Sequence, residues 1–125
     1  MKYILLCMCL LSLLGCGTDT KTQQDTKPTT TANEQAKTEQ DARVMAAKQA
    51  LSSGDYAKAI EEATASIKNN PNNADAYSIR GFATALSGDT TKGLADTKKA
   101  YDLDPNNVAN YYNMAMVYKL QGQLN

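Results

Sequence analysis

The sequence contains no histidine and no tryptophan, and phenylalanine occurs once, at Phe82. Without an imidazole, the chain cannot carry a Ser-His-Asp or Cys-His catalytic centre, a histidine metal site or a histidine proton shuttle. Thirteen basic residues balance thirteen acidic ones, so no net charge attracts nucleic acid or an anionic membrane. The composition therefore favours a binding protein over an enzyme, with no cofactor, no metal and no nucleic-acid partner.

Long hydrophobic runs are scarce, and the one near the N-terminus is short. Residues 1–15 carry one charge, at Lys2, followed by an almost unbroken apolar run from Tyr3 to Leu14, and they end on Gly15. A membrane-spanning helix needs roughly 20 apolar residues, whereas these features are typical of a secretory signal peptide. The alternative is a buried N-terminal core helix, for which the polar segment that follows offers no packing partner.

Cysteine occurs three times, at Cys7, Cys9 and Cys16, all near the N-terminus. The sequence Leu-Leu-Gly-Cys that ends at Cys16 resembles the lipobox of bacterial lipoprotein signal peptides. The resemblance implies that residues 1–15 are removed and that Cys16 carries a diacylglycerol and often a further acyl chain. Such a lipid anchor holds the chain at a membrane, and the one remaining cysteine leaves no internal disulfide.

The segment after Cys16 bears on localisation and on domain organisation. The lipobox implies the bacterial cell envelope. Because Gly17 stands where Asp would resemble an inner-membrane retention signal, a Gram-negative source favours the periplasmic face of the outer membrane. Residues 18–39 are dominated by Thr, Gln, Lys and Asp, with no apolar residue larger than Ala to bury, and the linker is assigned to residues 16–39. This composition predicts a disordered linker, anchored by lipid, ahead of a domain at residues 40–125.

A repeat occupies the rest of the chain. Gly54, Gly88 and Gly122 are spaced 34 residues apart. The same spacing separates three further pairs, namely Asp55 and Asp89, Pro71 and Pro105, and Tyr77 and Tyr111. A helical period of this length is typical of tetratricopeptide repeats, and residues 40–125 resemble that family. The resemblance implies an all-α solenoid of helical hairpins with about two and a half repeats, at residues 40–73, 74–107 and 108–125.

Local signals divide each unit into two helices. In the second unit, a first helix from Ala74 to Leu86 is predicted to end at Gly88, since glycine tolerates the left-handed conformation found at helix ends. Asp89 is expected to cap the second helix, which ends before Pro105. Arg80 stands where the family usually has Leu, so we expect looser packing in this repeat.

The last helix, predicted over residues 109–121, has no second helix after it. One helical stripe, at the packing positions of the family, is expected to bury against the second repeat: Tyr111, Met114, Ala115 and Tyr118. The remaining apolar residues are expected to stay partly uncovered: Tyr112, Met116, Val117 and Leu120. Two explanations stay open, a truncated array or a face that pairs with another molecule.

The family resemblance also implies a binding site. Tetratricopeptide arrays bind peptides or helices in a concave groove lined by the first helix of each unit. The candidate groove residues are Val44, Lys48, Ser78, Phe82, Tyr112, Met116 and Lys119. They suit a partner with an apolar centre and a polar periphery. Alternatively, the exposed Phe and Met are ordinary scattered surface residues.

These observations predict a lipid-anchored, non-catalytic adaptor of the bacterial cell envelope, which binds other proteins such as envelope assembly or cell-wall machinery. The alternative is a structural component that self-associates through its apolar last helix. The resemblance argues against one subclass, the domains that grip the C-terminal carboxylate of heat-shock chaperones. Of the residues that form that clamp, only Lys48 has a counterpart, since Ile79 stands at the asparagine position of the second unit.

Overall fold

The computed structural model describes residues 29–124. The predicted signal peptide, Cys16 and the first part of the predicted linker lie outside the described residues. Within them the chain forms five helices and no strand, which confirms the predicted all-α class. The helices are α1 (Thr29–Ser52), α2 (Tyr56–Asn69), α3 (Ala74–Leu86), α4 (Thr90–Leu103) and α5 (Val108–Leu124).

Two helical hairpins, α1–α2 and α3–α4, are closed by the same glycine turn. Gly54 and Gly88 have φ angles of 81° and 111°, a region that side-chain-bearing residues rarely adopt. The aspartate after each glycine caps the next helix: the carboxylates of Asp55 and Asp89 accept hydrogen bonds from the third amide beyond them, each at 3.0 Å. The repeated Gly-Asp pairs therefore fold as the sequence predicts.

Helix α1 begins at Thr29, well before the repeat boundary predicted at Gln40. Residues 29–39, which composition assigns to the linker, are therefore helical, and the side chains of residues 32–39 are exposed. The physical reason is helix propensity: Ala, Glu, Gln and Lys favour helix even where they bury nothing. The extension continues a helix whose C-terminal half is held by packing.

The core is built from small side chains. Ala47, Ala59, Ala63 and Ala83 are fully buried, and the largest fully buried side chain is that of Val117. Residues 31–125 form one compact unit that contains every buried residue of the described chain. This segment therefore holds its own core.

Within the second hairpin, the helices touch through backbone atoms. A Cβ added at Gly81 of α3 would lie 2.7 Å from the carbonyl oxygen of Gly93 and 2.7 Å from the amide nitrogen of Thr97, both on α4. Arg80, from which looser packing was expected, lies outside this glycine contact. Its guanidinium pairs with Asp96 of α4 instead.

Helix α5 is rotated relative to the sequence prediction. The expected buried stripe is largely exposed, with Tyr111, Ala115 and Tyr118 facing solvent, while Asn110 and Val117 are buried. In the second unit, Arg80 and Gly81, at two of the equivalent positions, contact the second helix of the same unit. No second helix follows α5 within the described residues, so the stripe has no neighbour there.

None of the described helices combines the length and the apolar character needed to cross a bilayer.

Candidate functional site

The predicted groove residues fall into two groups, and the first group is buried. Each unit is numbered here from its first residue, Gln40, Ala74 or Val108. Val44 and Ser78, both at position five, lie in the joint between consecutive first helices. Ser78 Oγ accepts a hydrogen bond of 2.9 Å from Asn113 Nδ2 of α5. Their inclusion in the groove is wrong, because the next helix covers position five.

The second group remains accessible. Lys48, Phe82 and Met116, at position nine of the three units, are exposed or half-buried, and Tyr112 and Lys119 of α5 are exposed. Tyr112 is accessible although it stands at position five, since no further unit follows it in the described chain. These five side chains form the candidate groove of the protein, across α1, α3 and α5.

A chain of polar contacts runs from α1 through α3 to the residue that precedes α5. Lys48 Nζ of α1 lies 3.0 Å from Asp75 Oδ2 of α3. The other carboxylate oxygen of Asp75 accepts a hydrogen bond of 3.2 Å from Asn107 Nδ2, just before α5. Asp75 is not among the groove residues predicted from the sequence. The signal that could have found this chain is the repeated Asn-Asn pair just before α3 and α5.

Shallow clefts flank this polar chain. One cleft of about 260 Å³ is lined by Asp41, Val44, Met45, Lys48, Asn73 and Asp75. Its polar atoms are carboxylates, one ammonium and one amide, which can pair with the backbone or polar side chains of a peptide. No cluster of three or more His, Cys, Asp or Glu suited to a metal occurs in the part of the chain that the structure describes.

The opposite side of the second hairpin carries an ion pair. Arg80 Nε and Nη2 donate to the two carboxylate oxygens of Asp96 at 2.7 and 2.8 Å, and the guanidinium lies 5.4 Å from the Tyr77 ring centroid. The hydrogen bond to Asp96 raises the pKa of Arg80. In the first unit, Arg43 approaches Glu62, which occupies the same repeat position as Asp96, at 3.6 Å. These pairs tie the two helices together in the first and second units.

Comparison with known proteins gives one family and several solved structures. The tetratricopeptide repeat family matches residues 97–125. The TPR2B domain of yeast Sti1 in its pHsp70 complex is 29% identical, with a TM-score of 0.59 and coverage of 64% of each chain. The TPR2AB domain of yeast Sti1 in its pHSP90 complex is 25% identical, with a TM-score of 0.58, over 72% of this chain and 37% of that one.

A third structure shows the fold alone. The C-terminal TPR-containing domain of a Plasmodium falciparum FK506-binding protein is 22% identical, with a TM-score of 0.69, over 85% of this chain and 68% of that one. The chain spans less than two thirds of either Sti1 structure. Together the matches support a tetratricopeptide-repeat protein and confirm the predicted fold, a solenoid of helical hairpins with about two and a half repeats.

Proposed function

We propose that this chain is a non-catalytic adaptor, which binds a peptide or helix of another protein across α1, α3 and α5. The observation that carries the proposal is the row of accessible side chains at position nine: Lys48, Phe82 and Met116. The likeness to Sti1 domains in complexes with pHsp70 and pHSP90 supports a protein ligand.

The groove side chains define the chemistry of the ligand. At the α1 end, Lys48 and Asp75 pair across the surface and can exchange this contact for a ligand's own polar groups. Towards α5, Phe82, Met116 and Tyr112 offer apolar area. The ligand therefore has an apolar segment next to a polar one. A chaperone C-terminus is not proposed, because Ile79 is buried and carries no hydrogen-bonding group.

Substitution of Phe82, the aromatic residue at the centre of the groove, tests the proposed binding site. Affinity purification from the native envelope, followed by mass spectrometry, identifies co-purifying proteins, and titration then measures their affinity. We expect Phe82→Ala to weaken binding by about 2 kcal/mol, as truncation of a central interface aromatic does, and Lys119→Ala at the rim to matter little. Thermal melting of each variant is the control for folding. Unchanged affinity in a folded Phe82→Ala variant contradicts the groove.

We further propose that Cys16 carries lipid and anchors the adaptor in the bacterial envelope, facing the periplasm from the outer membrane if the source is Gram-negative. The support is the lipobox resemblance. Cells fed a radioactive fatty acid should label the wild-type protein and not the Cys16→Ala variant. Equal label on both proteins contradicts the anchor.

A second candidate function is self-association through α5. The observation that favours it is the exposure of Tyr111, Tyr112 and Tyr118 along that helix. Apolar faces of this kind mark interaction surfaces when they are contiguous. Light scattering of residues 31–125 over a dilution series tests this function, and a monomer at every concentration contradicts it.

A further inference from the structure

Large exposed apolar side chains lie only on the two outer helices of the described chain. One is Met45 on α1, which is 70% exposed, and the others are Val108, Tyr111, Tyr112 and Tyr118 on α5. Helices α2, α3 and α4 carry none. The exposed apolar surface is thus divided between the two ends of the array.

The internal joints show what these ends lack. At each joint, position five of one first helix meets position six of the next. In the first joint these residues are Val44 and Ile79, both buried in the same core cluster. In the second joint they are Ser78 and Asn113, which share the hydrogen bond of 2.9 Å. In each joint the two side chains are therefore of the same chemical kind: both are apolar in the first joint and both are polar in the second.

Within the described residues, each end of the array presents one unmatched half of such a joint. Met45 is position six of the first unit, and Tyr112, which is 57% exposed, is position five of the third. A thioether and an aromatic ring attract each other when they pack together. The neighbouring residues Ala42 and Ala109 are small and exposed, so they leave room for a helix to approach.

We propose that a second copy of this chain fills the joint, with Tyr112 of one copy packed on Met45 of the next. The inference rests on self-association through α5, proposed above, and names the surface that α5 contacts. The two faces differ, so the contact is head-to-tail, and it either closes into a ring or leaves an unoccupied face at each end of an open assembly. Since each copy contributes mainly one helix, the interface is small and the association weak, as in transient complexes.

Disulfide trapping tests the pairing. Residues 31–125 hold their own core and contain no cysteine, so two single variants of this segment, Ala42→Cys and Ala109→Cys, can be mixed and oxidised. We expect several-fold more mixed disulfide than in a matched mixture of Ala42→Cys with Ala57→Cys, an exposed alanine of α2. Adding Met45→Lys to the Ala42→Cys variant should abolish the excess without lowering the melting temperature, whereas adding Met45→Leu should retain it.

Two results overturn the proposal, and they are distinguishable. If Ala109→Cys alone forms disulfide dimers in excess of the mixed species, α5 pairs with α5. Self-association then stands and the head-to-tail joint is wrong. If no mixture exceeds the Ala57→Cys control and light scattering finds only monomer, both the joint and self-association are wrong.

Discussion

Helices α3 and α5 occupy the same place in successive repeats, yet the same positions differ in exposure. Position eight is Gly81 in α3, which touches the backbone of α4, and Ala115 in α5, which is exposed. Position four is Tyr77, which is half-buried, and Tyr111, which is exposed. The residue types are similar, so the neighbouring helix and not the side chain decides burial. A repeat position is therefore a core position only where its partner helix is present.

The glycine turn shows the same dependence. Gly88 adopts a left-handed conformation between α3 and α4, whereas Gly122, at the equivalent position, lies inside α5. The next residue is the capping Asp89 in one case and Gln123 in the other, and glutamine is not a favoured cap. Glycine permits the turn but does not impose it.

The largest effect on stability is expected from a substitution that tests how closely α3 and α4 approach each other. Gly81→Ala places a methyl group against backbone atoms that cannot rotate away, so we expect a loss of about 3 kcal/mol in the free energy of unfolding. The matched variant Ala115→Leu adds more atoms at position eight of α5 than Gly81→Ala adds in α3. It should nevertheless change the free energy of unfolding by less than about 0.5 kcal/mol. Urea denaturation measures both variants, and equal losses would show that a helix covers α5 as well.

A second prediction concerns the rotation of α5. Val117 is fully buried and Tyr118 is 50% exposed, contrary to the stripe that sequence analysis predicts. Val117→Ala should lower the free energy of unfolding by roughly 2 kcal/mol, from lost burial and the cavity left behind. Tyr118→Ala should lower it by less than about 1 kcal/mol. Thermal melting ranks the two variants, and the reverse order would restore the sequence-based orientation.

The smallest expected effect concerns the ion pair that α3 has and α5 lacks. A double-mutant cycle with Arg80→Met and Asp96→Ala should give a coupling energy of about 1 kcal/mol, because the pair is bidentate and only partly exposed. The more exposed pair of Lys58 and Glu62 should give about 0.3 kcal/mol and lose it in high salt. Equal coupling energies in the two cycles would mean that the bidentate geometry of the Arg80–Asp96 pair adds no stability.

The sequence predicts the hairpins well because their signals are local. Spacing, Gly-Asp turns and caps act within a few residues, so the bounds of α2, α3 and α4 follow from them. The orientation of α5 does not follow, since it depends on a neighbour that the pattern assumes. Asn110 is buried there although it is polar: its amide nitrogen donates to the carbonyl oxygens of Ala100 and Asp104, each at 3.4 Å, while its buried side-chain oxygen has no partner among the described residues.

The accessibility of the candidate groove residues was predicted only in part, for the same reason. Family positions located Lys48, Phe82 and Met116 on one face, and these are accessible. The prediction for position five was wrong in two units, because whether a side chain is buried at a joint depends on where the next helix lies. The polar chain through Asp75 was missed because its partners lie in different repeats, which no local pattern relates.

The small-residue core has a consequence for the entropy of folding. Alanine and glycine have no side-chain rotamers to freeze, whereas burying a leucine or methionine restricts several torsions. The hairpins of this protein therefore bury little apolar area for each residue but lose little side-chain freedom in doing so. Helix contacts built from alanine and glycine also tolerate few substitutions, since every larger residue forces the helices apart. We expect natural variation to spare Gly81 and Gly93 and to accumulate on the outer faces of α2 and α4.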